Sequence, residues 1–317
     1  IIFYIRTTNY NTSQQEMKFK LERTFKELQN KVFYRVEDSI EILSQNRKVK
    51  MIFDDESSHE QFRPQVDMLL STTKKILSAN AVYLMNQDGT VIASTNYGTT
   101  KQTFVGENYS FRPYFQNALA GSTTVYGAVG KTSGTRGIYF STPVRINSVI
   151  KGVVVVKVGL KTIDNILDRY DNKIMLLSPK KVVFSSNRKR YLYRVFSQKQ
   201  NILTSDKKLK QQFRDKKIVP LEVKIMNNKL ELNKQRYLYE SFDLNIQGWQ
   251  LISLNPIESF FYTENGAKLF WLVFIITLIL GVIILALLIN KFYRKKLENK
   301  LRKFSKIVEQ SPVSVVT

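Results

Sequence analysis

"AVYLMNQDGTVIAS", residues 81–94, decides the fold class. Two β-rich apolar runs flank Asn86-Gln87-Asp88-Gly89. An Asp-Gly pair between such runs is a strong hairpin signal. Upstream of it the hydrophobic period is helical. Met17, Leu21, Phe25, Leu28, Val32, Val36, Ile40 and Leu43 recur in steps of three and four, which marks one face of a long helix. Neither Gly nor Pro precedes Pro64, so nothing breaks it. A shorter helical pattern follows through Phe62, Val66, Leu69, Leu70, Ile76 and Leu77. The stripe on the long helix suits pairing with a second copy and equally suits covering the domain that follows.

Downstream, "FRPYFQNALAG" at 111–121 predicts a short helix, with Pro113 in its first turn and Gly121 at its end. Three strands are predicted at Thr123–Val129, Gly137–Arg145 and Gly152–Val158, then a helix in "TIDNILDRY". A second cycle follows. "KIMLLS" and "KVVFSS" form a hairpin around Pro179-Lys180, and "PLEVKIM", "QRYLYESFDL" and "GWQLISL" supply three more strands. The class is α+β: a long helix, then two antiparallel-sheet units with helices on their faces.

"GVVVVKVGL", 152–160, holds the chemical anomaly. The valine run reads as a strand covered on both faces, yet it contains Lys157. Buried lysines are rare unless paired. Alternation puts Val153, Val155 and Lys157 on one face and Val154, Val156 and Val158 on the other, core face.

Leu269–Ile289 is 21 residues without a charge. A span needs about 20. Lys268 precedes it, and Lys291, Arg294, Lys295 and Lys296 follow. The positive-inside rule makes the C-terminal side cytoplasmic and the long preceding region extracytoplasmic. "IIFYI" at the start, followed by Arg6 and a polar run, reads as the end of another span, with a hydrophobic strand as the alternative. The chain begins with Ile1, and the expectation is a piece of a longer, multi-pass protein of the inner membrane.

Composition narrows the chemistry. There is no cysteine, so disulfides and thiolate metal sites are excluded. The single histidine, His59, sits in a polar stretch, and a Ser-His-Asp or Cys-His catalytic arrangement is not credible. Neither a metal cluster nor a phosphate loop is evident, and no cofactor is expected. Net charge is +23. The basic residues are scattered over the extracytoplasmic region, so nucleic acid is not the expected partner. The charge either reflects general basicity and attraction to anionic lipid, or it favours small anionic ligands.

Four stretches carry a resemblance: "NYSFRPYFQNALAG" at 108–121, "VGKTSGTRGIYFSTPV" at 129–144, "GVVVVKVGL" at 152–160 and "RYLYESFDLNIQGWQLISL" at 236–254. With this layout they resemble the double Cache sensor domains, in particular the C4-dicarboxylate sensor histidine kinases of the DctB-like group. The resemblance covers most of residues 15–260. The last residues, "FSKIVEQSPVSVVT", look like the entry to a PAS domain. Lys131 departs from the dicarboxylate pattern, which implies a small or hydroxyl residue there.

The implied organisation is the end of a first transmembrane helix at 1–6, a long helix and connection at 7–60, a membrane-distal, ligand-binding Cache module at 61–170, and a membrane-proximal Cache module at 171–265. A transmembrane helix follows at 268–290, then a cytoplasmic linker and PAS start at 291–317. In this family the ligand lies in the distal module. That implies a site at Arg112, Tyr114, Tyr126, Thr132, Ser133, Tyr139 and Lys157. An arginine at a helix start can hold a carboxylate bidentately, and tyrosine and loop hydroxyls can donate to it; bracing and packing are the alternative roles. Amino-acid-binding relatives commonly place an aspartate near the position of Lys157. A cation there repels an ammonium and attracts a second carboxylate. The competing account is an internal salt bridge from Lys157 to Asp164 or Glu107. The implied function is the sensing part of a receptor for a small anionic ligand such as a C4-dicarboxylate. It would act as a homodimer through a histidine kinase and its response regulator; a diguanylate cyclase or chemoreceptor output is the alternative.

Overall fold

The computed structural model describes residues 2–54, 56–97, 103–197, 207–226, 229–244, 246, 248–257 and 264–309. The chain divides into two units, Ile1–Ile257 and Glu258–Thr317.

The first unit opens with α1 (Ile2–Leu28), one π-helical stretch (Gln29–Tyr34) and α2 (Arg35–Gln45). The π stretch has a cause in the sequence. Leu28, Val32, Val36 and Ile40 recur in strict steps of four and are all buried. On an α-helix each such step drifts about 40° around the axis. One wider turn resets the stripe so that all four keep facing the core. Short α3 (Arg47–Met51) and long α4 (Glu56–Leu77) complete the helical layer.

The first sheet contains β1 (Ala81–Asn86), β2 (Val91–Ser94), β3 (Thr124–Val129), β4 (Arg136–Ile146) and β5 (Val149–Gly159), in the order β2-β1-β5-β4-β3 and antiparallel throughout. The β1–β2 turn carries Gly89 at φ +84°, a backbone region that favours glycine. Helix α5 (Pro113–Leu119) lies in the β2–β3 connection, and α6 (Lys161–Leu167) follows β5.

The second sheet is larger than expected. It contains β6 (Lys173–Leu177), β7 (Val183–Ser186), β8 (Arg194–Ser197), β9 (Val219–Met226), β10 (Lys229–Leu232), β11 (Gln235–Asp243) and β12 (Gln250–Pro256), in the order β7-β6-β12-β11-β10-β9-β8. Sequence reading missed β8, which pairs parallel to β9, and β10. It also missed α7 (Lys207–Phe213). All three are short; β10 pairs with its chain neighbours β9 and β11, and only β8 draws its partner from across the α7 connection.

One core runs through both sheets and the helical layer, joining Leu28, Val36 and Ile40 to Val154, Val156, Phe184 and Trp249. The apolar stripe on α1 and α2 therefore packs inside this chain, and pairing with a second copy does not use it. Each sheet carries a separate apolar cluster on its other face, one around Tyr83, Tyr114 and Val155, the other around Met175, Tyr237 and Ile252.

The second unit contains α8 (Glu264–Glu309). Its stretch Lys268–Ile307 is long and apolar enough to cross a membrane, with mean hydropathy 3.4 in its best window. Its large apolar side chains from Leu269 to Ile289 are exposed all round, the pattern of a lipid-facing helix. Among the described residues it is the one helix that passes this test, so the expected multi-pass topology finds no second span there; Ile2–Ile5 belong to α1. Residues 310–317 of the expected PAS entry lie outside the described residues.

Candidate functional site

The site is built on β5, the middle strand of the first sheet. Its alternation is as the valine run predicts: Val153 and Val155 face the tyrosine cluster, and Val154, Val156 and Val158 face the main core. Lys157 follows the first set and is 2 % exposed. Its cross-strand neighbours are Ala81 on β1 and Tyr139 on β4. The small Ala81 leaves room above the sheet, and the Lys157 ammonium stands 5.6 Å over the Tyr139 ring.

Lys157 Nζ donates to Ser133 Oγ at 2.5 Å and to Thr135 Oγ1 at 3.4 Å. Both partners are neutral. Asp164 pairs with Arg136 at 2.8 Å, and Glu107 pairs with Lys131 at 3.2 Å, so the two carboxylates considered for an internal bridge to Lys157 are bonded elsewhere. Burial, and secondarily the charge of Arg112, lower the Lys157 pKa to about 8.

Arg112 is 3 % exposed. Pro113 holds it in extended backbone at the start of α5, as the residue before a proline prefers. Its Nη1 donates to Gln211 O at 2.8 Å and its Nη2 to Val129 O at 3.1 Å. Much of its fork is thus braced on backbone carbonyls, while its charge still acts on Lys157. Around these cations stand phenols. Tyr114 and Tyr139 stack at 5.0 Å, and the Tyr83 and Tyr114 hydroxyls lie 2.9 Å apart. Burial raises the pKa values of Tyr83, Tyr114 and Tyr139, and pushes Tyr126 up to about 12. They stay protonated and able to donate.

Six of the seven expected site residues line one cavity: Arg112, Tyr114, Thr132, Ser133, Tyr139 and Lys157. Tyr126 is not in that lining; its ring lies 6.2 Å from that of Tyr114 and its hydroxyl bonds to Arg112. Tyr83, Phe104, Tyr109, Gly130 and Lys131 complete the wall. Tyr109 was not singled out by sequence, and its hydroxyl lies 2.8 Å from Thr132 Oγ1. Gly130 has a clear reason: a Cβ there would overlap Ser133 Oγ and stand 3.0 Å from Lys157 Nζ. The free space is about 20 Å³, about one water. A larger ligand enters only when the wall moves. The loop from Gly130 to Thr135 forms one wall and is closed by Gly130 N–H to Thr135 O at 2.9 Å.

That loop is also held from the second half of the chain. Gln212 Nε2 donates to Gly127 O at 2.7 Å, and Arg214 Nη1 donates to Gly130 O at 3.3 Å and to Lys131 O. Helix α7, between β8 and β9 in the chain, therefore braces Arg112 through Gln211 O and β3 through Gln212, and Arg214 just after it braces the loop. No local signal could have revealed this.

No family model matches the sequence. The C4-dicarboxylate transport sensor protein DctB of Pseudomonas aeruginosa is 33 % identical over 119 residues, which is 38 % of this chain and 19 % of that protein. Among solved structures, the sensor domain of the V. cholerae histidine kinase DctB superposes with a TM-score of 0.66 at 23 % identity, over 78 % of this chain and 98 % of that one. The fold is that of a DctB-like double-Cache sensor domain. The ligand-binding domain of the Campylobacter jejuni chemoreceptor Tlp3, solved with 4-methylisoleucine, shares it with a TM-score of 0.58 at 15 % identity, over 82 % of this chain and 97 % of that one. We call the five-stranded sheet and its helices the first module and the seven-stranded sheet the second; both lie in the one unit Ile1–Ile257. The buried lysine, the arginine and the tyrosines all belong to the first.

Proposed function

We propose that this chain is the extracytoplasmic sensing part of a membrane receptor that binds a C4-dicarboxylate or a similar small dianion in the first module, and that the whole protein is a sensor histidine kinase acting on a response regulator. The observation that carries the ligand class is Lys157, a buried ammonium whose hydrogen-bond partners are two neutral hydroxyls. Burying an unneutralised cation is costly. A carboxylate between Lys157, Ser133 and the tyrosine hydroxyls would neutralise it, and Arg112 supplies a second positive pole. An amino-acid ligand is disfavoured because its ammonium would meet these two cations. In this reading α8 spans the membrane, with its basic end cytoplasmic.

Binding must displace the loop Gly130–Thr135, because the closed cavity holds no diacid. The loop is bonded to α7, so its displacement reaches the second sheet. Ligand can shift that equilibrium only by its differential affinity for the two arrangements. The test is thermal unfolding of the full chain in detergent micelles, with and without succinate. Succinate is expected to raise the midpoint, and Lys157→Ala and Arg112→Ala are each expected to abolish the rise. An undiminished rise in both folded variants would overturn the site.

A further inference from the structure

The order β2-β1-β5-β4-β3 of the first sheet recurs as β7-β6-β12-β11-β10 within the second, and the repeat places a second cation where the first module keeps its site. Hairpins β1–β2 and β6–β7 carry their register shift at the same place, before Met85↔Val91 and before Leu177↔Val183. Counting back from Met85 and Leu177, Ala81 and Lys173 are equivalent. Ala81 pairs with Lys157 on β5, and Lys173 pairs with Leu254 on β12. Lys157 pairs onward with Tyr139, and Leu254 with Tyr239. The same cross-strand pair thus carries a lysine in both modules, contributed by opposite strands. Both lysines point away from the helical layer, since Met175 and Leu177 share the face of Lys173 by alternation and belong to the second sheet's own cluster.

The surroundings also correspond. Lys173 Nζ sits 4.2 Å over the ring of buried Tyr237. Tyr237 and Tyr191 form the floor of an open cavity of about 600 Å³, whose wall includes Arg190, Arg194 and Gln235. Arg190 Nη2 donates to Tyr191 Oη at 3.1 Å. Arg190 and Tyr191 lie in the connection after β7, as Arg112 and Tyr114 lie in the connection after β2. The Lys173 pKa is held below its ordinary value by burial first, then by Arg190 and Arg188. The carboxylate on this wall is Glu222, exposed at the rim.

We infer that the second module carries a binding site of its own for a small carboxylate, held by Lys173, Arg190 and Arg194 over the Tyr191–Tyr237 floor. It is independent of the site proposed in the first module. Arg190 and Arg194 line the cavity, Tyr237 Oη donates to Gln235 Oε1, and the Lys173 ammonium lies against the far side of the site on the Tyr237 ring; the arginine forks suit a carboxylate. The open mouth admits a ligand without displacing the loop that closes the first site.

Acetate binding to the full chain in detergent micelles, followed by saturation-transfer NMR, tests this. Lys157→Gln removes the first module's ammonium and is used as the background. In that background acetate is expected to bind still, and Arg190→Gln with Lys173→Gln is expected to weaken binding at least tenfold. Arg190 is exposed, so Arg190→Gln alone, expected to weaken binding several-fold, keeps the test open if the double substitution impairs folding. Loss of all acetate binding in folded Lys157→Gln overturns the second site, as does unchanged affinity in folded Arg190→Gln. A chain in which the second site binds while Lys157→Gln changes nothing would overturn the first site and leave this one standing.

Discussion

Lys157 Nζ and Ser133 Oγ lie 2.5 Å apart across the first module's cavity, and this contact joins the strand-borne charge to the loop that closes over it. Ser133 accepts from the ammonium without neutralising it. In the proposed reading a ligand carboxylate would compete with Ser133 for the same ammonium.

Lys157→Met keeps the length of the side chain and removes the charge. The chain is expected to lose its succinate response and to unfold about 2–4 °C higher without ligand, because a buried charge has been replaced by an apolar group. Scanning calorimetry of both chains checks it, and a lower midpoint for the variant would contradict the cost assigned to the charge.

Lys157 also predicts a pH dependence. Its ammonium loses a proton near pH 8 in the folded chain but only near the ordinary lysine value in the unfolded one. Across that window the unfolded chain binds more protons, so ligand-free stability rises with pH. Dianion binding needs the ammonium, so affinity is expected to fall as pH climbs through about 8. Titration calorimetry at pH 7 and pH 9 should show weaker binding at the higher pH, with proton uptake measurable from buffers of different ionisation enthalpy.

Gly130→Ala places a methyl group against Ser133 Oγ, Tyr139 Oη and Lys157 Nζ. It should block the cavity with little effect on the rest of the fold. The expected result is a normal circular dichroism spectrum together with loss of the succinate-induced thermal shift.

Gly127→Ala acts elsewhere. A Cβ at Gly127 would overlap the buried ring of Trp249 and approach Phe184, where the first sheet meets the second. Overpacking of this kind costs about 1–3 kcal/mol. Urea unfolding should show that loss, and Trp249→Ala should cost about 3–5 kcal/mol by leaving a hole.

Arg214→Ala removes the donor that ties α7 to the carbonyls of Gly130 and Lys131. Exchange of the loop amides with solvent should quicken, while the amides of β5 stay protected. Arg214→Lys keeps a donor and should restore part of the protection.

Much of the first module was legible because its signals are local. The Asp-Gly turn, Pro113 after Arg112, and the alternation of Val153 to Val158 each act within a few residues. The site residues come from the family resemblance, and six of those seven line one cavity. Tyr126, the seventh, stands one step back from the lining, beside Tyr139 across the strands and bonded to Arg112. Tyr109 and Phe104 were missed because they sit in an irregular connection with no period to read. In the second module β8 and β10 are four-residue strands without the flanking Asp-Gly or Pro turn signal that marked the equally short β2 and β7.

The amino-acid sequence by itself determined the α+β class, the long amphipathic helix, the apolar helix of the second unit and the burial of one lysine among valines. Each of these follows from periodicity or chain-local backbone preference. The tertiary structure alone decided what that lysine meets. Asp164 and Glu107 were equally available by sequence, and both turned to arginine or lysine partners of their own, leaving Lys157 with two hydroxyls. It also decided that the stripe on α1 and α2 is covered by the two sheets, and that α7, nearly a hundred residues away along the chain, braces Arg112. Such pairings depend on which distant surfaces close over one another to bury apolar area, and that is settled only when the whole core packs.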